Sequence, residues 1–365
     1  MITRLYANNY RCLVAFEGQF DALTVLCGAN GAGKSSIFDA VRVLRDLALG
    51  DITTEQAVRY DDHTSWLDSN VTEFELHLDV QGRSFSYQVH IEQVSPTLAP
   101  RITKENAVCE NKTLFERDLD GVRFDKASGL KTGFPLDWRK AALGSIQPAN
   151  DRRDIETLQE ALGKILILRP NPLGIEAESK DERSRPSLDL ANLTSWFRSL
   201  SQEQEWTDLL REGLRDVWSD FKSFRLVNTG LQAKELQLRF DSSGRSGDLT
   251  LTMDQLSDGE KMLIGLHMMR TALATGAVNT LLVDEPDNFI GLPELQPWIL
   301  SLMELTGGAQ AMVISHSAEI LNASAEQFGR YLWRDNHTSL TRIGPLRTPE
   351  GLSVGEAIAR GWAHA

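Results

Sequence analysis

The eight residues Gly28-Ala29-Asn30-Gly31-Ala32-Gly33-Lys34-Ser35 carry the most specific chemistry in the chain. They fit the pattern G-x-x-x-x-G-K-[ST] in full and follow the apolar run Leu23-Thr24-Val25-Leu26-Cys27, so strand, glycine loop and helix stand in the required order. Glycines let the backbone wrap closely around an anion, with consecutive N–H groups turned inward. The following helix adds its positive N-terminal end. Lys34 is suited to reach the outer phosphates and the Ser35 hydroxyl to hold magnesium. Gly28, Asn30, Gly31, Ala32, Gly33, Lys34, Ser35 and Ser36 are therefore the expected nucleotide-binding residues. A glycine turn that binds nothing is the bland alternative, and the strand-loop-helix order counts against it. The stretch predicts binding of a nucleoside triphosphate.

Three further clusters stand near the other end of the chain. Leu256-Ser257-Asp258-Gly259-Glu260 opens an apolar helical pattern, and Ser257 with Glu260 forms a capping box. Taken alone, this is only a helix start. Thr280-Leu281-Leu282-Val283-Asp284-Glu285-Pro286 is a nearly continuous apolar run ending in two carboxylates. It predicts a buried parallel strand that delivers acids to its C-terminal edge. Asp284 suits magnesium, and Glu285 suits orienting or deprotonating an attacking water. Ala311-Met312-Val313-Ile314 repeats the pattern and ends in Ser315-His316-Ser317. That places His316 at a similar edge, beside a γ-phosphate, although capping of the next helix is the simpler role.

These residues need elements to position them. Short apolar clusters at 2–6 and 12–17 predict two strands, and Ile37, Phe38, Val41 and Leu44 predict a helix running to about Leu49, before Gly50. Phe74, Leu76, Leu78 and Val80 alternate with polar residues; Gln81-Gly82-Arg83 then turns into a second arm carrying Phe85, Tyr87, Val89 and Ile91. A smaller hairpin is expected around Asp120-Gly121. The spacing predicts helix between about 136 and 163, a strand at Lys164–Leu168, and a mobile charged loop over Glu176–Pro186. Residues 188–222 give the longest helical region, followed by strands around Leu236–Phe240 and Leu249–Leu251 and a flexible turn over Asp241–Gly247. A last hairpin around Asp335-Asn336 and a short helix near Gly355–Trp362 complete the expected order.

At 365 residues the chain can bury a substantial core. Three cysteines at irregular spacing (Cys12, Cys27, Cys109) indicate neither a disulfide framework nor a zinc cluster. No secretory pattern opens the chain and no apolar run approaches a membrane span, so a cytoplasmic protein without membrane partners is expected. The net charge of −13 lowers the expectation that the chain binds DNA tightly by itself, because phosphate neutralisation supplies most such affinity.

The phosphate loop, Leu-Ser-Asp-Gly-Glu, apolar-Asp-Glu-Pro and strand-Ser-His occur in the order of the ABC-type ATPases, and the wide first gap resembles the RecF, SMC and OLD branch. The opening Asn9-Tyr10-Arg11, then Phe16, then Leu23–Ser36 is also similar to that branch. The resemblance implies an α/β fold: a P-loop ABC-ATPase head with a mixed sheet core, a strand-rich lobe and an inserted helical region. The nucleotide-binding core is then expected from 1–60 and 250–346, the inserted lobe from 61–249 and a C-terminal helix from 347–365. It implies ATP and Mg2+ as cofactors, Lys34, Glu285 and His316 as catalytic residues, and Ser35 and Asp284 as the metal-holding pair. It further implies a homodimer that sandwiches ATP, each site completed by Ser257 and Gly259 of the other copy. About fifty residues follow His316, too few for the nuclease domain of full OLD enzymes, so a separately encoded nuclease or toxin is the expected partner, with a role in phage defence. A DNA repair ATPase of RecF type that binds duplex DNA directly is the alternative.

Overall fold

The computed structural model describes residues 1–125, 131–147, 149, 152–242, 247–305, 308–349, 351–360 and 362–363. The chain divides into two compact units, one formed by Met1–Ile165 with Ala325–Ala365 and the other by Leu166–Ser324.

The first unit holds an eight-stranded antiparallel sheet in the order β2-β1-β4-β5-β6-β7-β8-β9. Its strands are β1 (Ile2–Asn8), β2 (Phe16–Gln19), β4 (Val71–Val80), β5 (Arg83–Glu92), β6 (Arg101–Cys109), β7 (Lys112–Asp118), β8 (Gly121–Asp125) and β9 (Lys131–Phe134), with β3 (Leu23–Gly28) in another sheet. The alternation in β4 and β5 puts Phe74, Leu76, Leu78, Phe85, Tyr87, Val89 and Ile91 in the core. Gln81 and Gly82, with φ of 56° and 80°, form the two-residue turn between them, the left-handed geometry that tight hairpins require. The strand expected over 12–17 begins only at Phe16. Before it the chain doubles back through Arg11 and Ala15, both at positive φ, with Arg11 held by Asp62 (3.0 Å) and Asp39.

The hydrophobic pattern did not announce β6, because one of its inward positions is a charge. Glu105 is fully buried. It accepts hydrogen bonds from Tyr87 Oη (2.9 Å), Arg117 Nη1 (3.2 Å) and the backbone N–H groups of Ala142 and Leu143 (2.7 and 3.0 Å). Arg117, equally buried, donates onward to the carbonyls of Asp137 (3.0 Å) and Lys140. This network holds 137–143 against the sheet. Among the described residues, the helix expected over 136–163 is therefore limited to the single turn Ala142–Ser145 and the helix Arg153–Gly163.

In the same unit β3 pairs in parallel with Gly329–Trp333, which pairs in turn with Arg342–Pro345 as the expected late hairpin. All six β3 residues are buried. Helix α1 (Lys34–Ala48) follows the phosphate loop and ends at Gly50, whose φ is 74°. The expected terminal helix is Val354–Ala359; Gly361 lies outside the described residues.

In the second unit a four-stranded antiparallel sheet combines Glu178–Ser179, Lys234–Phe240, Phe221–Asn228 and Leu249–Thr252. The helical region expected over 188–222, with its break after Leu200, is the two helices Leu193–Leu200 and Gln204–Arg215, but residues from Phe221 onward form a strand instead. Arg215 stops the second helix by donating to the carbonyls of Phe221 (2.9 Å) and Lys222 (3.2 Å), which folds the chain back. Trp196 and Trp206 are core residues, and Phe197, Trp206, Phe221, Phe224 and Phe240 pack ring on ring at 4.9–5.7 Å. Glu176–Pro186 is not a freely mobile loop. Ser179 is buried, pairs opposite Lys234, donates to the Asp181 carbonyl (2.6 Å) and accepts from Ser195 (3.2 Å). Of the expected turn over Asp241–Gly247, residues 243–246 lie outside the described residues.

A second layer of this unit carries the parallel strands Thr280–Asp284 and Gln310–Ile314, both wholly buried, with Asp284 opposite Ile314. The helix Asp258–Ala274 is buried almost all round, and Trp298 Nε1 donates to its Leu266 carbonyl (2.9 Å). Among the described residues no helix is long and apolar enough to cross a membrane.

Glu105→Gln leaves the Arg117 charge buried without its counterion, and it should cost about 3–5 kcal/mol. A combined Glu105→Leu, Arg117→Met variant should cost less, because neither charge is then stranded. Urea denaturation midpoints test this, and a Glu105→Gln loss below about 1 kcal/mol would refute the network's role.

Candidate nucleotide-binding and hydrolysis site

The phosphate loop belongs to the first unit, and backbone geometry shapes it. Gly28, Gly31 and Gly33 have φ of 144°, 78° and 104°. A Cβ on Gly28 would lie 2.2 Å from the Leu332 carbonyl oxygen, and one on Gly33 would lie 2.7 Å from Thr341 Oγ1 and 2.9 Å from Cys12 Sγ. Glycine is required at both. A Cβ on Gly31 would meet nothing within 4 Å, so the loop is open there. Lys34 is buried, and its Nζ donates to the carbonyls of Gly28 (2.8 Å) and Ala29 (3.0 Å). Asn30 is exposed at the loop tip, Ala32 is buried, and Ser35 and Ser36 are half-buried. The Ser36 hydroxyl lies 3.6 Å from Cys12 Sγ.

Two residues of the late hairpin hold the loop and escaped the sequence reading. Thr341 Oγ1 donates to the Ala32 carbonyl (3.0 Å). Arg334 Nη1 donates to the Gly31 carbonyl (3.1 Å) while its guanidinium stacks 5.4 Å over the Trp66 ring. The start of α1 has no side-chain cap and no acidic residue in its first turn. An uncapped helix N-terminus behind an open glycine loop fits a phosphate group. Cys27, inside β3, is pushed up to about 12 by burial and is inert at neutral pH.

The second unit gathers the remaining expected residues at two places. Ser257 caps the helix Asp258–Ala274 as expected. Its Oγ accepts from Glu260 N–H (3.3 Å), and Glu260 Oε2 accepts from the Ser257 N–H (2.7 Å) and hydroxyl (2.8 Å). The serine that would grip a phosphate therefore grips its own carboxylate. Gly259 allows a close approach: a Cβ there would lie 2.8 Å from the Phe289 carbonyl oxygen. Ser257, Gly259, Trp218 and Phe289 line an open cavity of about 190 Å³.

At the ends of the parallel strands lie Asp284, Glu285 and His316. Asp284 is 4% exposed and receives Arg169 Nε at 3.0 Å. Glu285 has φ of 54°, a left-handed conformation that costs a non-glycine residue about 1–3 kcal/mol. Its N–H donates to the Ile314 carbonyl (2.8 Å), and its Oε2 accepts from Asn288 Nδ2 (2.8 Å). These bonds aim the carboxylate. Burial pushes the nearby Asp287 carboxyl up, with a hydrogen bond from Ser315 opposing the shift. His316 is exposed just past its strand, and Ser317 caps the helix that follows. Arg169 and Asn288 were not foreseen. The only signal for Arg169 is its place directly after an apolar strand and before Pro170.

The residues present fit a nucleotide with magnesium. In the first unit Ser35 offers a hydroxyl, and in the second Asp284 offers a carboxylate; each is a hard oxygen donor of the kind that this ion takes.

A family model described as "AAA domain, putative AbiEii toxin, Type IV TA system" matches residues 23–322. The chain belongs to this family. It is 23% identical over 344 residues to an OLD nuclease of Thermus scotoductus, a match that covers 90% of this chain and 61% of the relative. The SMC head domain from Thermotoga maritima superposes with a TM-score of 0.51 at 12% identity, covering 95% of this chain and 99% of that one. An SMC head bound to the C-terminal winged-helix domain of ScpA gives 0.58 at 14% identity, covering 94% and 98%. The fold is that of an SMC-type head, and the chain is an ATPase of the RecF, SMC and OLD branch.

His267, on the helix that Ser257 caps, is 3% exposed, and neither ring nitrogen has a hydrogen-bond partner. Burial, reinforced by the charge of Arg270, lowers its pKa to about 4. The folded state therefore keeps this ring neutral at pH values where the unfolded chain protonates it. The contribution is fully present above pH 6.5 and is lost as the pH falls from there to about 4, on the order of 3 kcal/mol in all. The acid loss of thermal midpoint should be smaller in His267→Leu than in the wild type; equal pH profiles would contradict the assignment.

Proposed function

We propose that this ATPase is an ATP-gated dimeric switch controlling a separately encoded effector, a nuclease or toxin, in phage defence. Residues Gly28–Ser36 bind the triphosphate, with Lys34 on the outer phosphates. Ser35 and Asp284 hold Mg2+, which when bound neutralises charge on the phosphate oxygens. Glu285 orients the attacking water and accepts its proton, and His316 contacts the γ-phosphate. Ser257 and Gly259 complete the site of a second copy.

The observation that carries this reading is the cavity at Ser257 and Gly259. The start of that helix opens to solvent beside Phe289, 50% exposed, instead of packing into the core. A phosphate arriving from another copy would compete with Glu260 for the Ser257 N–H and hydroxyl. Closure is then favoured only while the γ-phosphate is present, since a ligand shifts an equilibrium by its differential affinity alone. The match to an OLD nuclease and the toxin-system description of the family support an effector of that class. The chain spans 61% of that nuclease's length, and the family match over 23–322 contains all the ATPase motifs.

Glu285→Gln should accumulate an ATP-dependent dimer by size-exclusion chromatography, and adding Ser257→Arg should abolish it. If ATP leaves wild type and Glu285→Gln equally monomeric, the sandwich is refuted for this chain. Duplex DNA should leave ATP turnover unchanged. Strong stimulation that falls steeply with salt would favour a repair ATPase that binds DNA directly.

A further inference from the structure

We propose that Arg169 is a built-in stand-in for the metal ion: its guanidinium neutralises Asp284 in the metal-free chain and is displaced when Mg2+ arrives. The inference rests on the proposed role of Asp284 as a metal-holding carboxylate.

Asp284 ends a strand in which every residue is buried, and its side chain is only 5% exposed. A carboxylate in such a place is strongly disfavoured as an anion unless a cation meets it. Arg169 Nε does so at 3.0 Å from Oδ2. The arrangement is asymmetric. The arginine side chain is 47% exposed, so it can leave toward water while the carboxylate cannot. Its backbone is fixed, with the Arg169 N–H on the Leu188 carbonyl at 2.6 Å and Pro170 next in sequence. The main chain thus holds the base of a long, half-exposed side chain.

A dication and a guanidinium cannot both sit against one carboxylate without mutual repulsion. Arg169 therefore competes with the ion for Asp284 and raises the metal concentration that the site needs. It also keeps the buried carboxylate from standing uncompensated between cycles. That combination distinguishes a placeholder from a residue that merely orients Asp284, which would help the metal to bind.

The test is a Mn2+ titration of the full chain with a non-hydrolysable ATP analogue, followed by the loss of the free-ion electron paramagnetic resonance signal. Arg169→Ala should lower the half-saturating Mn2+ about tenfold, the equivalent of one charge-assisted hydrogen bond. In an Asp284→Asn background the same substitution should change nothing. Thermal midpoints give a second readout. Arg169→Ala should be less stable than wild type without metal and should regain most of the difference with Mn2+ and analogue present. An unchanged or raised half-saturation, or an equal stability loss with and without Mn2+, overturns the placeholder. A wild type that binds Mn2+ with analogue no better than Asp284→Asn overturns the metal role of Asp284 and the inference with it.

Discussion

Charge carried into a dry interior needs a partner there, and this constraint organises both units. Asp284 sits at the end of a buried strand, and Arg169 reaches it there. Lys34 is buried beside the loop it serves and turns its ammonium onto two backbone carbonyls. Glu105 is the deepest case, with four donors on one carboxylate. Two of these three groups are expected to act on nucleotide and metal, whereas the third only ties a segment to a sheet. Burial with compensation is thus not itself a mark of chemistry. What separates them is position: Asp284 and Lys34 stand where a strand or loop ends, while Glu105 sits inside a strand.

Strand ends matter because a buried parallel strand has no free backbone to offer until it stops. At Asp284 the ladder ends, Glu285 turns left-handed, and its N–H is taken by the Ile314 carbonyl of the neighbouring strand. The strained residue and the expected water-activating residue are the same one. Such strain persists because the surroundings overdetermine it: a proline follows, and Asn288 holds the carboxylate.

The phosphate loop, the cap at Ser257, the acidic strand end and the second strand ending before His316 were all legible in the sequence. Each depends on neighbours in sequence: glycine φ, a serine and glutamate three apart, an apolar run ending in charge. The β4–β5 and late hairpins were legible for the same reason. Strand β6 was not, because Glu105 occupies an inward position that the alternation reserves for apolar residues. The strand from Phe221 was hidden by Val217 and Phe221, which continue the helical spacing past Arg215. Asn288, Arg334 and Thr341 act through contacts that are set by the fold, and no local pattern marks them; Arg169 is marked only by its place between an apolar strand and Pro170.

The hold of Arg334 and Thr341 on the glycine loop bears on how the protein is made. The loop lies within the first tenth of the chain, yet the hydrogen bonds on its Gly31 and Ala32 carbonyls come from residues more than 300 positions later. The strand paired beside β3 is equally distant in sequence. On the ribosome the loop stays without these partners until the residues more than 300 positions later have been synthesised. Contacts of this range are slow to close. The phosphate loop should therefore reach its final shape long after it is synthesised, and truncated products that end before Thr341 would carry the motif without its supports.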